Sequence, residues 1–487
     1  MKRVLLALAL VVVLLAAVTL QRTAGFRSRQ PQVAPVAAEP LDTAALARRL
    51  AGALRFKTIS FQDSNQFDAR EFAGFGRYLR DSFPRLHGAL KLEKVNGYGL
   101  LYKWTGSDPG LAPAVLLAHQ DVVPVEPGTE GRWTEPPFEG RIAGGYVWGR
   151  GALDDKGSLV GILEAVEHLV AAGAKPRRTV YLAFGYDEEV GGRRGAARIA
   201  ELLASRNVHP EFALDEGGAL TTGLIAGVAA PVALVGIAEK GYVTVELTAQ
   251  AEGGHSSMPP KATAVGMLAA ALVRLEARQM PRAIRGPTAD MFDYVGPEMS
   301  FGPRLALANR WLLGGILMSR FGKTPQGNAL LRTTTALTVL QAGVKENVLP
   351  SSARALVNFR ILPGDSVASV LEHVRRAVDD PRISVRALEA TLGNPSPVTP
   401  VDAEPFRLLA RTIRQVVPAT VVTPWLVVGA TDSRHYARLT PNVLRFVGAT
   451  IGKDDLRRIH GTDERVGVRA YADAVRIYIQ LLKNAVL

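Results

Sequence analysis

The chain has 487 residues, 47% hydrophobic and 21% charged, which leaves room for two or three domains and is the composition of a folded protein. It contains no cysteine, which excludes disulfides, thiolate ligands and a cysteine nucleophile, so any metal site must be built from His, Asp and Glu. The formal charge of +13 comes from Lys and Arg scattered through helical stretches. There is no basic tract interleaved with aromatics, which argues against a nucleic-acid partner and leaves anionic substrates or an anionic membrane as what such a surface attracts.

At the N-terminus, Lys2 and Arg3 precede a run from Val4 to Leu20 that is apolar except for Thr19, with Arg22, Arg27 and Arg29 following. This reads as a signal anchor or a signal peptide over 1–24, and it places the rest of the chain outside the cytoplasm: membrane-anchored, or secreted or periplasmic if the segment is cleaved. No A-x-A cleavage site follows it, which favours the anchor. Residues 25–40 mix Pro, Ala and polar residues without periodicity, as a linker does.

From 41 to 237, helical and strand patterns alternate. Phe72, Phe75, Leu79 and Phe83 recur at helical spacing, and "PAVLLAH" (113–119) is the continuous apolar run of a buried strand. A helix face from Leu159 to Val170 stops at Gly173, and "TVYLAFG" (179–185) and "EFALD" (211–215) read as further buried strands. Such alternation predicts an α/β fold, a mixed sheet covered by helices on both faces.

Over 238–393 the style changes. Strands with apolar–polar alternation at 241–250, 333–343 and 353–362, helices at 262–278 and 366–378 and a strand at 383–389 give a βαββαβ order, a compact α+β domain with one open sheet face. Within it, "LALANRWLLGGILMSRF" is strongly apolar but too short and too interrupted to span a bilayer. It reads as a helix pair in the domain core, with an apolar wall for an acyl chain or a second membrane contact as the alternatives. Residues 394–487 return to the first style, with a strand at 442–448 and a long helix at 466–486. The chain is therefore one α/β domain interrupted by an inserted domain.

The unusual polar residues of the α/β part fall at strand ends: His119 and Asp121 in "LLAHQD", Asp154 and Asp155 in "GALDDKG", Glu188 and Glu189 in "FGYDEE", and Asp215 and Glu216 in "ALDEGG". Ligands of open α/β sheets bind at the carboxyl ends of strands, so these groups should converge. At 4 Å a like-charge pair costs roughly 4 kcal/mol at an effective dielectric of 20, so the cluster needs cations. Oxygen and imidazole donors suit zinc, manganese or cobalt, and a carboxylate shared between two divalent ions makes a two-metal hydrolytic site. There is no G-x-S-x-G elbow, H-E-x-x-H helix or phosphate loop, which disfavours a serine hydrolase, a helix-borne zinc protease or an NTPase.

H-x-D, G-x-x-D-D-K-G, D-E-E and L-D-E-G, followed by a late His in "IHGTDE", resemble the co-catalytic zinc aminoacylases and carboxypeptidases of peptidase clan MH. The resemblance covers about 45–487. "AHQDVVPV", "WGRGALDDKG" and "GATDSRHY" are most similar to the carboxypeptidase S and N-fatty-acyl-amino-acid hydrolase branch. It implies a zinc-exopeptidase-like mixed sheet with a ferredoxin-like inserted lid or dimerisation domain, through which a homodimer would form. It implies a cis peptide between Asp154 and Asp155, and Asp154 bridging two metals with His119 and Asp215 on one and Glu189 and His460 on the other. Asp121 would orient His119, Glu188 would be the general base, and His255, in relatives often the partner subunit's, would stabilise the oxyanion. Arg360, Asn347 and Arg434 would hold the substrate.

The implied function is hydrolysis of an amide next to a free carboxylate, in an N-acyl amino acid or a short peptide. Dipeptidase or other amidohydrolase activity is the alternative within the family, and a membrane-tethered metal-binding protein without activity is the alternative outside enzymes.

Overall fold

The computed structural model describes residues 1–389 and 392–487. Its largest element is an eight-stranded mixed sheet in the order Lys91–Val95, Gly99–Trp104, Val180–Gly185, Ala114–His119, Phe212–Thr221, Val443–Ile451, Val232–Glu239 and Val421–Val427. Ala114–His119 runs parallel to both of its neighbours, as Val443–Ile451 does to Phe212–Thr221. The carboxyl ends of these strands therefore open along one edge.

Three strands, Ala114–His119, Val180–Gly185 and Val232–Glu239, are buried along their whole length, because helices cover both faces. On one face Leu116, Leu182 and Phe184 pack against Leu50, Leu163, Phe406 and Val475 from four helices. On the other, the alternate residues Val115, Leu117 and Ala183 meet Ile199 and Leu203 of helix Ala196–Ser205. The Phe212–Thr221 strand is longer than the sequence suggests. Asp215 and Glu216 lie inside it, opposite a jump in register with Val443–Ile451.

The second sheet is four-stranded and antiparallel, in the order Thr334–Ala342, Ser352–Ile361, Gly241–Gln250 and Ile383–Ala387. Helices Ala264–Ala277 and Val367–Val378 pack on it, completing the βαββαβ order. Strand Ser352–Ile361 shows why: Ala353, Ala355, Val357, Phe359 and Ile361 are buried and their neighbours are not. Helix Val367–Val378 begins on a capping box between Ser366 and Ser369.

The apolar stretch 305–321 forms the expected helix pair, Phe301–Ala308 and Arg310–Phe321, preceded by a further helix Pro287–Val295, but the pair lies outside the core of the second sheet. Met291, Phe292, Val295 and Leu307 pack with Val232, Leu234 and Val421 at the edge of the large sheet, while Arg310–Phe321 buries no residue at all.

Helix Lys2–Gly25 is exposed over its apolar run. The segment that follows it has no helix or strand up to 42, yet it is tied down. The Gln30 amide donates to Val422 O (3.0 Å) and accepts from Val422 N (2.8 Å), and Val36 N donates to Gln415 O.

Phe359 is fully buried in the core of the second sheet. Phe359→Ala should cost about 3–5 kcal/mol, measured as a lowered urea midpoint for unfolding of that unit.

Candidate metal centre

The strand ends deliver their side chains to one place. Asp154 is the focus: its Oδ1 lies 3.0 Å from His119 Nε2 and its Oδ2 lies 2.9 Å from His460 Nε2. His460 Nε2 is also 3.2 Å from Glu189 Oε2, and His119 Nε2 is 3.6 Å from Glu216 Oε1. Two groups able to hold a metal ion result, His119–Asp154–Glu216 and Asp154–Glu189–His460, sharing Asp154.

The electrostatics fit cations. Against the pull of burial, Asp121, Asp154 and Glu216 hold the His119 imidazole well above its usual range, and Asp154 and Glu189 push His460 up to about 10. Although burial opposes it, the two imidazoles hold the Asp154 carboxyl well below the carboxylate range. Protons on the imidazoles thus supply the positive charge that cations would bring. Glu189 Oε1 is buried without a hydrogen-bond partner, a free donor atom where the second group needs one.

One expected ligand is corrected. Neighbouring residues of a strand point to opposite sides, and it is Glu216, not Asp215, that faces His119 and Asp154. Asp215 turns toward Thr431, Glu239 and Arg445, where burial lifts its carboxyl to about 6.

Three buried acids lock the loops that carry the cluster. Asp121 accepts from the backbone N–H groups of Glu188 and Glu189 (3.1 Å each) and from Ser60 Oγ (2.7 Å). Its own carbonyl oxygen lies 3.0 Å and its Oδ1 3.4 Å from His119 Nδ1, so it sets the ring's orientation. Glu464 accepts from the backbone N–H groups of Gly151, Leu153 and Asp154 and from Arg150 Nη1 (2.6 Å). Arg150 Nη2 in turn donates to the carbonyls of His460 and Gly461, so one ion pair fastens the Asp154 loop to the His460 loop. Glu239 accepts from Thr431, Ser433 and Arg445, fixing the turn that carries Arg434.

The Asp154–Asp155 peptide is cis. Asp155 points away from the imidazole rings and its Oδ2 accepts from the backbone N–H of His119 (3.3 Å). Glu188 stands beside Glu189 in the short turn Glu188–Val190 after strand Val180–Gly185. Burial holds its carboxyl well above the usual range, with Asp432, Glu216 and Glu189 adding to the effect and His119 opposing it.

The remaining expected residues lie outside the cluster. Arg360 stacks on the Tyr242 ring at 4.6 Å, and burial, with Arg434 nearby, lowers its guanidinium. Arg434 donates to Gly191 O (2.8 Å), two residues beyond Glu189. His255 and Asn347 sit together on the two-stranded ladder Gly254–His255 and Val348–Leu349. There His255 is exposed and bonded locally to Ser257, and Asn347 O accepts from Ser256 N. Arg150, Ser60, Glu239 and Glu464 were not expected. Arg150 and Glu464 lie inside the runs "WGRGALDDKG" and "IHGTDE", but nothing in those runs marks their pairing, and only the contacts reveal all four.

The sheet and this carboxylate–imidazole cluster define a metal-dependent hydrolase acting on C–N bonds. The profile of Peptidase family M20/M25/M40 matches residues 115–484, and the chain belongs to that family. It is 42% identical over 472 residues to the probable carboxypeptidase S-like 2 of Dictyostelium discoideum, covering 95% of this chain and 90% of that protein. It is 43% identical over 444 residues to an N-fatty-acyl-amino acid synthase/hydrolase of Xenopus tropicalis, covering 90% and 86%. The fold is that of an M20 family metallo-carboxypeptidase from Sulfolobus solfataricus, with a TM-score of 0.63 at 18% identity over 90% of this chain and 98% of that one.

Metal ligation needs neutral imidazoles, whereas the metal-free cluster holds them protonated, so loading must release protons. With His460 pushed up to about 10, affinity should fall by about tenfold per pH unit below that value through this residue alone. Titration calorimetry at pH 8 in buffers of different ionisation heat measures the release, and buffer-independent heats would contradict it.

Proposed function

We propose that the chain hydrolyses N-acyl amino acids bearing an apolar acyl group, using two divalent ions held by His119, Asp154 and Glu216 and by Asp154, Glu189 and His460. The observation that carries the reading is the placing of two imidazoles on the two oxygens of Asp154, with a half-buried second carboxyl, Glu188, alongside. Oxygen and imidazole donors favour zinc, with manganese or cobalt as the other choices. Bound there, the ions would supply Lewis acidity toward the amide carbonyl and bring a water's pKa near neutrality.

Glu188 is the group that moves the proton. Its carboxylate takes one from the attacking water and passes it to the amide nitrogen as the C–N bond breaks, so the amine leaves neutral. Asp121 holds the His119 ring by Nδ1 and keeps Nε2 toward Asp154. The free carboxylate of the substrate goes to Arg360 and Arg434. Among the described residues neither Arg360, stacked on Tyr242, nor Arg434, bonded to Gly191 O, has a carboxylate in ion-pair contact, and a bidentate carboxylate suits a guanidinium. His255 and Asn347 serve the acyl carbonyl from across a dimer formed through the inserted sheet, whose edge strand Thr334–Ala342 leaves Leu337 and Leu340 exposed.

We read helix Lys2–Gly25 as a retained membrane anchor, long and apolar enough to cross a bilayer and unburied over that window. Its last turns are built into the folded body: Asn309 Nδ2 donates to Thr19 O and Thr23 Oγ1, and Arg304 donates to Phe26 O.

The function is tested with the zinc-loaded full chain on N-acyl amino acids, their esters and dipeptides. Turnover should favour apolar acyl groups with a free carboxylate. Equal rates on esters would remove the cationic clamp, and faster dipeptide cleavage would make the enzyme a peptidase. Glu188→Gln should keep its metal and lose about 10²–10⁴ in kcat. Glu216→Ala should drop bound metal from two ions per chain to one, while Asp215→Ala keeps both, as counted by elemental analysis.

A further inference from the structure

The surface of helix Arg310–Phe321 is the feature that neither the catalytic reading nor the fold explains. Its exposed positions fall at 311, 312, 315, 316, 319 and 320, one face of a helix, and they carry Trp, Leu, Gly, Ile, Ser and Arg. Trp311 is 54% exposed, Leu312 46% and Ile316 57%. The opposite side is apolar too, since Leu317 and Phe321 lean on the cluster at the edge of the large sheet. A helix that is hydrophobic all round belongs in a protein core or against lipid, and this one buries none of its residues.

Its position names the partner. The end of helix Lys2–Gly25 is bonded to the turn that starts this helix: Asn309, buried, reaches Thr19 and Thr23, and Arg22 donates to Ala308 O. A bilayer that takes up the N-terminal run must therefore begin beside Trp311.

The charge agrees. No Asp or Glu occurs in 1–38 or in 299–332, while Arg22, Arg27, Arg29, Arg304, Arg320 and Lys323 do. Such cations are drawn to an anionic lipid surface. A cleft of about 530 Å³ between the two elements is lined by Arg22, Trp311 and Asp293 with its partners Arg29 and Arg310, room for a headgroup at the boundary.

We propose that the Arg310–Phe321 helix is a second membrane contact. Its Trp311–Leu312–Ile316 face lies in the interface of an anionic phospholipid bilayer beside the N-terminal helix, with the Trp311 ring at headgroup level. The inference rests on the anchor reading above. Two contacts, one spanning and one lying flat, fix the tilt of the catalytic sheet on the membrane where a single helix would let it swing.

The chain's lack of cysteine makes the test direct. Single variants Leu8→Cys, Leu312→Cys, Ile316→Cys and, as a water-facing control, Ser205→Cys are spin-labelled in the full chain. They are reconstituted into vesicles of phosphatidylcholine with phosphatidylglycerol. Labels at 312 and 316 should collide more with oxygen than with a water-soluble nickel chelate, as at 8, and the label at 205 should show the reverse.

If 8 is in lipid but 312 and 316 behave as 205 does, the anchor stands and the second contact is overturned. If 8 is also in water, the anchor reading fails and takes this inference with it. Shielding of 312 and 316 from both colliders would mean a protein neighbour, and would overturn the proposal as well.

Discussion

Everything in the catalytic half of the molecule is arranged around one carboxylate shared by two imidazoles. Asp154 is flanked by His119 on one oxygen and His460 on the other, with Glu189 and Glu216 close behind and Glu188, Asp155 and Asp121 within the same interior. So many acids cannot be buried together as anions. Without metal the interior responds by protonation: the imidazoles go up and several of the carboxyls go up with them. Cations relieve the same repulsion while leaving the donor atoms free to bind.

Such a cluster would be pulled apart by small loop movements, and the structure spends its buried polar groups preventing that. Arg150 and Glu464, both buried, join the loops of Asp154 and His460, and Asp121 joins the ends of two strands. An ion pair of this kind adds little to overall stability. What it gives is a fixed distance between the Asp154 and His460 loops.

Much of this was legible in the sequence because the chemistry sits in short runs at strand ends. H-x-D, D-D and E-E announce their residues, and parallel topology brings strand ends together. The α/β layout and the βαββαβ order followed from periodicity alone. Choosing between Asp215 and Glu216 did not, since alternation says only that the two diverge, and the register jump opposite them depends on a partner strand more than two hundred positions away. Strands Val232–Glu239 and Val421–Val427 are harder to read: the first follows another strand with no helix between, outside the α/β alternation, and Pro424 interrupts the second. The apolar pair was placed in the domain core for a related reason: an apolar helix reads the same whether it is packed or exposed.

The Glu464 lock has a consequence in time. His460 and Glu464 both come from the stretch just before the final helix, whereas the groups they complete were laid down some three hundred residues earlier. A chain emerging from the ribosome therefore carries an open, self-repelling acidic pocket until its last segment folds back. Assembly of the cluster is the closing act of synthesis, and a chain interrupted before that point lacks both His460 and the Glu464 lock.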